Sequence, residues 1–315
     1  MDVITLGESM VLFEPMDGGN LQYAPLFRKT IGGAESNLAI GLSKLGHKVS
    51  WISKLGDDPF GKYIYSFIKG EGVIVDHVQF MKEKNTAVFF KETGKYRQTN
   101  IYYYRKESAA STLSPKDLDE SLFERATFLH VTGITPALSD SCSETVFHAI
   151  ELAKKYNVQI VFDPNIRFTL KTNETYFRTL REIAYKSDYF LPGEMELVHL
   201  FPDDGLNESA NNIIENGVRA VIVKKGKDGA SIYTKTDCKH VKGYPNDDVV
   251  DPVGAGDGFA AGFISGLLEK KSLIQAVERG NLVGSMVTMV KGDCEGLPYR
   301  KDLDDFLNQQ SDINR

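Results

Sequence analysis

Short apolar runs, each long enough for a buried strand, recur along the chain at VITL (3–6), VSWIS (49–53), TFLHV (127–131), IVF (160–162), YFL (189–191) and AVIVK (220–224). Runs with helical spacing lie between them. In SETVFHAIELAKKY, Val146, Ala149, Ile150 and Ala153 recur at three- and four-residue intervals and place one apolar stripe on a helix. Parallel strands need crossover connections of about a dozen residues or more, so this alternation predicts a doubly wound, mostly parallel α/β sheet with helices on both faces. Two stretches break the rhythm, 10–31 and 85–105, where alternation such as that in NIYYYRK predicts strands without intervening helices, paired as a small extra sheet. From about Asp257 onward the pattern is mostly helical. No Pro/Gly/Ser-rich linker and no internal repeat divides the chain, so one domain is expected over 1–315, with the small sheet inserted in it.

Composition narrows the classes. With 42% hydrophobic and 25% charged positions in 315 residues, the chain has the makings of one large core or two small ones and not of a fibrous or disordered protein. The net charge of -6 argues against nucleic acid, whose phosphates call for a basic surface. Cys142, Cys238 and Cys294 stand far apart in no CxxC or Cys/His pattern, which suggests neither a disulfide framework nor a structural zinc. The start lacks the basic and apolar regions of a signal peptide, and every apolar run is broken before the roughly 20 residues a membrane span needs. The expectation is a soluble, cytoplasmic protein.

The most informative segment is VVDPVGAGDGFAAGFISGLL (249–268), read as a short strand turning through glycines into an apolar helix. Gly254 and Gly256 let the backbone turn tightly, so that the N–H groups of Gly254, Ala255, Gly256 and Asp257 face an incoming anion at the positive end of the helix. Such an anion hole suits a phosphoryl group in transfer. A carboxylate among those amides repels a phosphate that merely rests there, so Asp257 calls for another reason: it takes a proton from an attacking hydroxyl, with the dipole and nearby donors keeping it ionised. The plainer reading makes Asp257 a helix cap and the glycines packing aids. A Rossmann turn is disfavoured because Phe259 stands where GxGxxG requires its last glycine.

DPVGAGD (251–257) resembles the C-terminal signature of the ribokinase/PfkB carbohydrate kinases, and GGAESNLAIGLSKLG (32–46), followed by GDDPFG (56–61), is similar to their N-terminal signature. The likeness spans nearly the whole chain. It implies the ribokinase-like fold, with the small sheet as a lid over a sugar, and ATP as the phosphoryl donor. It also implies a hinge at Gly32 and Gly33 and sugar contacts from Gly33, Ala34, Glu35, Ser36 and Asn37, although the two glycines read equally well as a simple loop turn. Lys224, Gly226 and Gly229, in VIVKKGKDGASIY, fall where family members bind ATP; taken alone the segment reads as a surface hairpin. Glu196 in GEME matches the glutamate of the family NxxE motif that organises Mg2+ and phosphate through water, whereas Gly193 replaces its asparagine. Asn281 matches a nucleotide-contacting position, against a plainer reading as a solvent-facing polar residue. Mg2+ is expected to enter with ATP, needing only one or two carboxylates besides phosphates and water.

For the acceptor, alternation puts Ile101, Tyr103 and Arg105 on one face of the NIYYYRK strand. A guanidinium fork with a neighbouring phenol matches a carboxylate better than a neutral sugar; an aromatic strand with an exposed arginine is the competing reading. DPNIRFTL resembles the DxNxR pattern of 2-keto-3-deoxygluconate kinases, which implies Asn165 near the phosphates and Arg167 near either the substrate carboxylate or the phosphate in flight; a salt-bridged loop is the alternative. YYRKESAAS, LHVTGITPALS and GDCEGLPYRKDL are similar to the same subfamily, with Asp293 matching a sugar-contacting carboxylate and Phe89 standing where related enzymes can use tyrosine. The expected reaction is ATP-dependent phosphorylation of that sugar acid at its 6-hydroxyl. Fructokinase, ribokinase, a kinase for the galactose-derived epimer and a non-catalytic sugar- or nucleotide-binding regulator are the rivals. A homo-oligomer is expected, because the exposed edge of the small sheet offers a surface for self-association.

Overall fold

The computed structural model describes residues 1–16, 20–93, 99–244, 246 and 248–313. The chain opens with β1 (Val3–Leu6), β2 (Met10–Pro15), β3 (Phe27–Gly32), α1 (Ala34–Lys44), β4 (Val49–Gly56), α2 (Pro59–Gly70), β5 (Val78–Met81), β6 (Val88–Thr93) and β7 (Thr99–Tyr104). It continues through α3 (Glu120–Phe123), β8 (Phe128–Thr132), α4 (Ile134–Leu138), α5 (Asp140–Lys155), β9 (Gln159–Asp163), α6 (Glu174–Lys186) and β10 (Tyr189–Phe190). The last third holds α7 (Glu194–Leu200), α8 (Leu206–Glu215), β11 (Ala220–Lys224), β12 (Ala230–Tyr233), β13 (Cys238–Val241), α9 (Ala255–Leu268), α10 (Leu273–Val287) and α11 (Arg300–Ile313).

Among the described residues the strands form a nine-stranded sheet, ordered β13-β12-β11-β10-β9-β8-β1-β4-β5, and a four-stranded sheet, ordered β3-β2-β6-β7. The large sheet is parallel from β5 to β11, and the β11–β12 and β12–β13 pairings at its edge are antiparallel. Every residue of β1, β4 and β8 is buried, as helices on both faces require. Alternate residues feed two cores. Val3, Trp51 and Val161 pack toward α1, α9 and α10, while Ile4, Ile52 and Phe162 pack toward α5 and α6.

The small sheet grows from the C-terminal end of β1; Val11 and Ile31 on one of its faces join the core that holds α1 and α9. Met10, Leu12, Ala87 and Phe89 are buried on the other face, with Ile101 and Tyr103 against them. The expected segments 10–31 and 85–105 thus supply its strands; their residues 17–19 and 94–98 lie outside the described residues. Among the described residues no helix is long and apolar enough to cross a membrane, and the cysteines are free.

The short strand expected before Gly254 is absent from residues 249–253. Val249 and Val250 are exposed, and the N–H groups of Val250 and Asp251 both donate to the Thr288 carbonyl, at 2.9 and 3.1 Å, instead of to a sheet neighbour. Pro252 offers no N–H at all. Apolar β-branched residues mimic a strand here because the segment lies on the end of α10.

Helix α9, buried from Asp257 to Gly266, lies against α10 so closely that a Cβ on Gly262 would stand 2.7 Å from the Arg279 carbonyl oxygen. We expect Gly262→Val to push the two helices apart and lower stability by about 1–3 kcal/mol, read from urea unfolding. An unchanged midpoint would show that the contact is not limiting.

Candidate active site

The N-terminus of α9 meets the C-terminal edge of the parallel strands, where open α/β sheets gather their ligands. Gly254 precedes the helix at φ 81°, in the left-handed region, and a Cβ there would lie 2.2 Å from the Asp293 carbonyl oxygen, so glycine is required twice over. The first N–H groups of a helix have no intrahelical acceptor. Of the amides expected to face an anion, that of Ala255 is turned to the Pro252 carbonyl at 3.4 Å.

Asp257, 8% exposed, lies in the first turn of α9. Its Oδ2 accepts from Asn37 Nδ2 at 2.8 Å and its Oδ1 from Asn165 Nδ2 at 3.4 Å. Burial pushes the carboxyl above its ordinary range, and Asn37, Arg167, Lys224 and Asn165 pull it back. The expectation names the dipole and nearby donors as what keeps Asp257 ionised; the donors do act that way, and the largest influence, desolvation, runs against them. Asn165 reaches Asp257 from a left-handed backbone (φ 38°), a conformation asparagine tolerates, and its own N–H donates to Asp163 Oδ1 at 3.1 Å.

Two cavities meet at this point. The first, about 300 Å³, is walled by Gly33, Ala34, Glu35 and Asn37 at the start of α1, by Phe89, Lys91, Tyr103 and Arg105 of the small sheet, and by Arg167, Gly254, Gly256, Asp257 and Asp293. Phe89 and Tyr103 stack at 5.7 Å to form one side. Ser36, expected among the sugar contacts, is not in the wall: its hydroxyl donates to Ser9 Oγ and the Gly33 carbonyl, both at 3.0 Å, beneath the first turn of α1. Glu35 reaches the wall, but its Oε1 accepts from Thr132 at 2.6 Å and Thr135 at 2.8 Å, and its Oε2 has no partner among the described residues. Burial raises its pKa to about 7 against the pull of those hydroxyls. Asp293 is likewise raised by burial to about 7, with Lys91 drawing it down and Asp257 and Asp251 pushing it up.

Arg105 is buried and carries a partner that sequence reasoning did not name. Its Nε donates to Glu8 Oε2 at 2.7 Å and its Nη2 lies 2.7 Å from the same oxygen in an ion pair, while Ser108 Oγ donates to the other oxygen of Glu8. The guanidinium is thereby fixed by one edge, and Nη1 makes no hydrogen bond among the described residues. Arg167 is exposed and has no ion-pair partner among them. Both Glu8 and Lys91 escaped the sequence reading. The signals were there, a carboxylate straight after a buried strand and a lysine on the inward phase of FFKET, but their partners lie 97 and 160 positions away.

The second cavity, about 400 Å³ and more apolar, is walled by Gly226, Gly229, Tyr244, Ala255, Phe259, Asn281 and Thr288, and it shares Lys224, Pro252 and Gly256 with the first. Lys224 Nζ donates to Asp163 Oδ2 at 2.5 Å. Burial would lower this ammonium, but Asp163, Glu196 and Asp257 outweigh it and hold it above its ordinary value. Glu196 accepts the Ile166 and Gly193 N–H groups, each at 2.7 Å, and so braces the loop bearing Asn165 and Arg167. Asn281 is buried, not solvent-facing, and its Nδ2 donates to the carbonyls of Val241 and Lys242 at 3.3 and 3.0 Å. Among the described residues no cluster of three or more metal-ligating side chains occurs. Asp163 and Glu196 stand beside the junction of the cavities, and each of their four carboxylate oxygens already accepts a hydrogen bond, so they suit a Mg2+ that keeps its water shell and is carried in by phosphates.

An α/β sheet with a second small sheet over a two-chambered cleft, a glycine-bounded helix terminus between the chambers and a buried aspartate on it define a phosphoryl-transfer protein. The chain belongs to the pfkB family of carbohydrate kinases, whose model matches residues 1–300, and is a carbohydrate kinase. It is 38% identical over 317 residues to the 2-dehydro-3-deoxygluconokinase of Bacillus subtilis (strain 168), covering 100% of this chain and 98% of that one. It is 30% identical to the 5-dehydro-2-deoxygluconokinase of Clostridium tetani (strain Massachusetts / E88), covering 99% and 94%. An E. coli protein crystallised in complex with ATP and Mg2+ superposes with a TM-score of 0.90 at 26% identity, over 98% of this chain and 99% of that one.

The raised pKa of Glu35 has a consequence for stability. The folded state holds this proton more tightly than the unfolded state, so the contribution is present below the ordinary carboxyl value and is lost as pH rises through about 7. We expect Glu35→Gln, whose amide oxygen still accepts from Thr132 and Thr135, to gain on the order of 1–3 kcal/mol over the parent at pH 8 and little at pH 5. Chemical denaturation at both pH values checks this; an equal effect at the two would contradict it.

Proposed function

We propose that this kinase transfers the γ-phosphoryl group of MgATP to the 6-hydroxyl of 2-keto-3-deoxygluconate (2-dehydro-3-deoxygluconate), giving 2-keto-3-deoxy-6-phosphogluconate and ADP. The observation that carries the choice of acceptor is the pair of guanidinium groups, Arg105 and Arg167, in the wall of the cavity that also contains Asp257. Arg105 keeps Nη1 free beside Glu8, and Arg167 has no ion-pair partner among the described residues; two such guanidinium donors suit a carboxylate at one end of the acceptor better than a neutral sugar. The name of the Bacillus subtilis relative points the same way.

In this reading Glu8 holds Arg105 by its Nε/Nη2 edge and the acceptor's carboxylate takes Nη1, with the Tyr103 hydroxyl beside it. Phe89 and Tyr103 cover the carbon chain, and Gly33, Asn37 and Asp293 meet the hydroxyls. Arg167 meets the carboxylate or the phosphoryl group in flight. ATP occupies the second cavity, its base among the apolar residues near Asn281 and its phosphates toward Gly226, Gly229 and Lys224. The O6–H proton passes to Asp257, O6 forms a bond to the γ-phosphorus, and the bond from that phosphorus to the β–γ bridging oxygen breaks to release ADP. The amides at Gly254, Gly256 and Asp257 meet the charge on the phosphoryl oxygens. Asp163 and Glu196 would hold Mg2+ through its water shell, where it neutralises phosphate charge. Closure of the small sheet excludes water that would otherwise hydrolyse ATP.

Initial-rate kinetics with ATP and a panel of acceptors tests the proposal. A site built to pair a carboxylate should favour 2-keto-3-deoxygluconate over fructose and ribose by about 100-fold or more in kcat/KM. Including 5-dehydro-2-deoxygluconate separates the two acids named among the relatives. A higher kcat/KM for fructose or ribose would remove the acid-reading role of the arginines, and ATP binding without turnover of any acceptor would favour a regulator.

A further inference from the structure

Lys91 has no place in the reaction as written, yet its side chain is only 3% exposed and sits at the wall of the acceptor cavity. It follows Phe89 on the inward face of β6, and a buried ammonium requires a partner. The partner is Asp251, the first residue of the loop that leads to Gly254; the two form a buried ion pair, with Asp251 6% exposed. Asp251 is also the tie that shapes the loop. Its Oδ1 accepts the Val253 N–H at 3.2 Å, and its Oδ2 accepts the Gly292 N–H at 3.3 Å along with the Lys91 ammonium.

The small sheet makes two other ion pairs with the same end of the molecule, Glu14 with Lys291 at 3.2 Å and Arg28 with Glu295 at 2.9 Å. Lys291 and Arg28 are 46% and 39% exposed, and solvent-screened pairs hold little. Losing Lys91, by contrast, leaves Asp251 as an uncompensated buried carboxylate near the path of a polyphosphate.

We propose that Lys91 is a positioning residue that couples the small sheet to the phosphate loop: β6 delivers its ammonium to Asp251, and this neutralisation holds residues 251–254 in the shape that presents the amides of α9. This rests on the kinase reading of the loop and goes beyond it, because it makes the anion hole depend on where the small sheet stands. A sheet lifted from the cleft takes the cation away and leaves the loop unformed; a seated one completes it.

Two measurements decide the matter. In hydrogen exchange on the ligand-free protein, Lys91→Met should speed exchange in 249–254 and 290–293, whereas Arg28→Met, which breaks an exposed pair, should not. In turnover, measured with whichever acceptor the parent uses best, Lys91→Met should lower kcat by about 100-fold with the KM for ATP nearly unchanged, because the misplaced amides act in the transition state. In Lys91→Ala, which opens room for a small cation, methylammonium should restore part of kcat, and tetramethylammonium, too large for the gap, should not. Unaltered exchange in 249–254, or a kcat close to the parent's, or equal effects of the two amines, would overturn the coupling. Exchange needs no substrate, so it judges the coupling even if 2-keto-3-deoxygluconate proves to be the wrong acceptor.

Discussion

A carboxylate taken out of water must be met by donors, and Asp257 is met by two amides from opposite parts of the fold. Asn37 comes from the first turn of α1 and Asn165 from the loop after β9, while the aspartate itself stands on α9. Burial raises the proton affinity of the carboxyl, which favours a base, and the amides keep that rise in check. Neither donor reaches unless α1 and α9 lie together against one face of the sheet and the β9 loop curls over its edge. The close approach of α9 to α10 at Gly262 and the left-handed turn at Gly254 are the backbone conditions for that placement.

From this carboxylate the cleft divides by chemistry. On one side are arginines, aromatic rings and carboxylates; on the other is an apolar chamber with glycine-rich walls. Lys224 and Gly256 belong to both. Lys224 is tied to Asp163, and Glu196 to the loop that carries Asn165 and Arg167, so the charges at the junction are mutually braced before any ligand enters. In the proposed reaction such bracing removes reorganisation from the chemical step. The Lys91–Asp251 pair extends the bracing to the small sheet and makes it conditional on that sheet's position.

Much of this was legible in the amino-acid order, because it rests on local rules. Apolar runs separated by helical stripes produced the parallel sheet, alternation in NIYYYRK placed Tyr103 and Arg105 on one face, and two glycines before an aspartate marked the helix terminus. What escaped depends on partners distant in the chain. The family resemblance implies a sugar contact at Ser36, yet a helix turn carries it away from the cavity to Ser9. Arg105 was read as seeking an anion, and the anion already present is Glu8. Val249 and Val250 imitate a strand, although their backbone is claimed by Thr288. Asn281 reads in the sequence as a nucleotide contact or a solvent-facing residue; it is buried, and its amide secures the end of β13. In each case periodicity fixes the face and cannot specify which atom waits on the other side.

Whether Asp257 accepts the proton is decided by single-turnover phosphoryl transfer with Asp257→Asn. Asparagine keeps the size of the side chain and one acceptor oxygen for the neighbouring amides, but it cannot take up a proton. Acceptor and ATP binding should stay within a few-fold of the parent, and the transfer step should be slower by about 100-fold or more. A folded Asp257→Asn protein that transfers phosphate at the parent's rate would contradict that role.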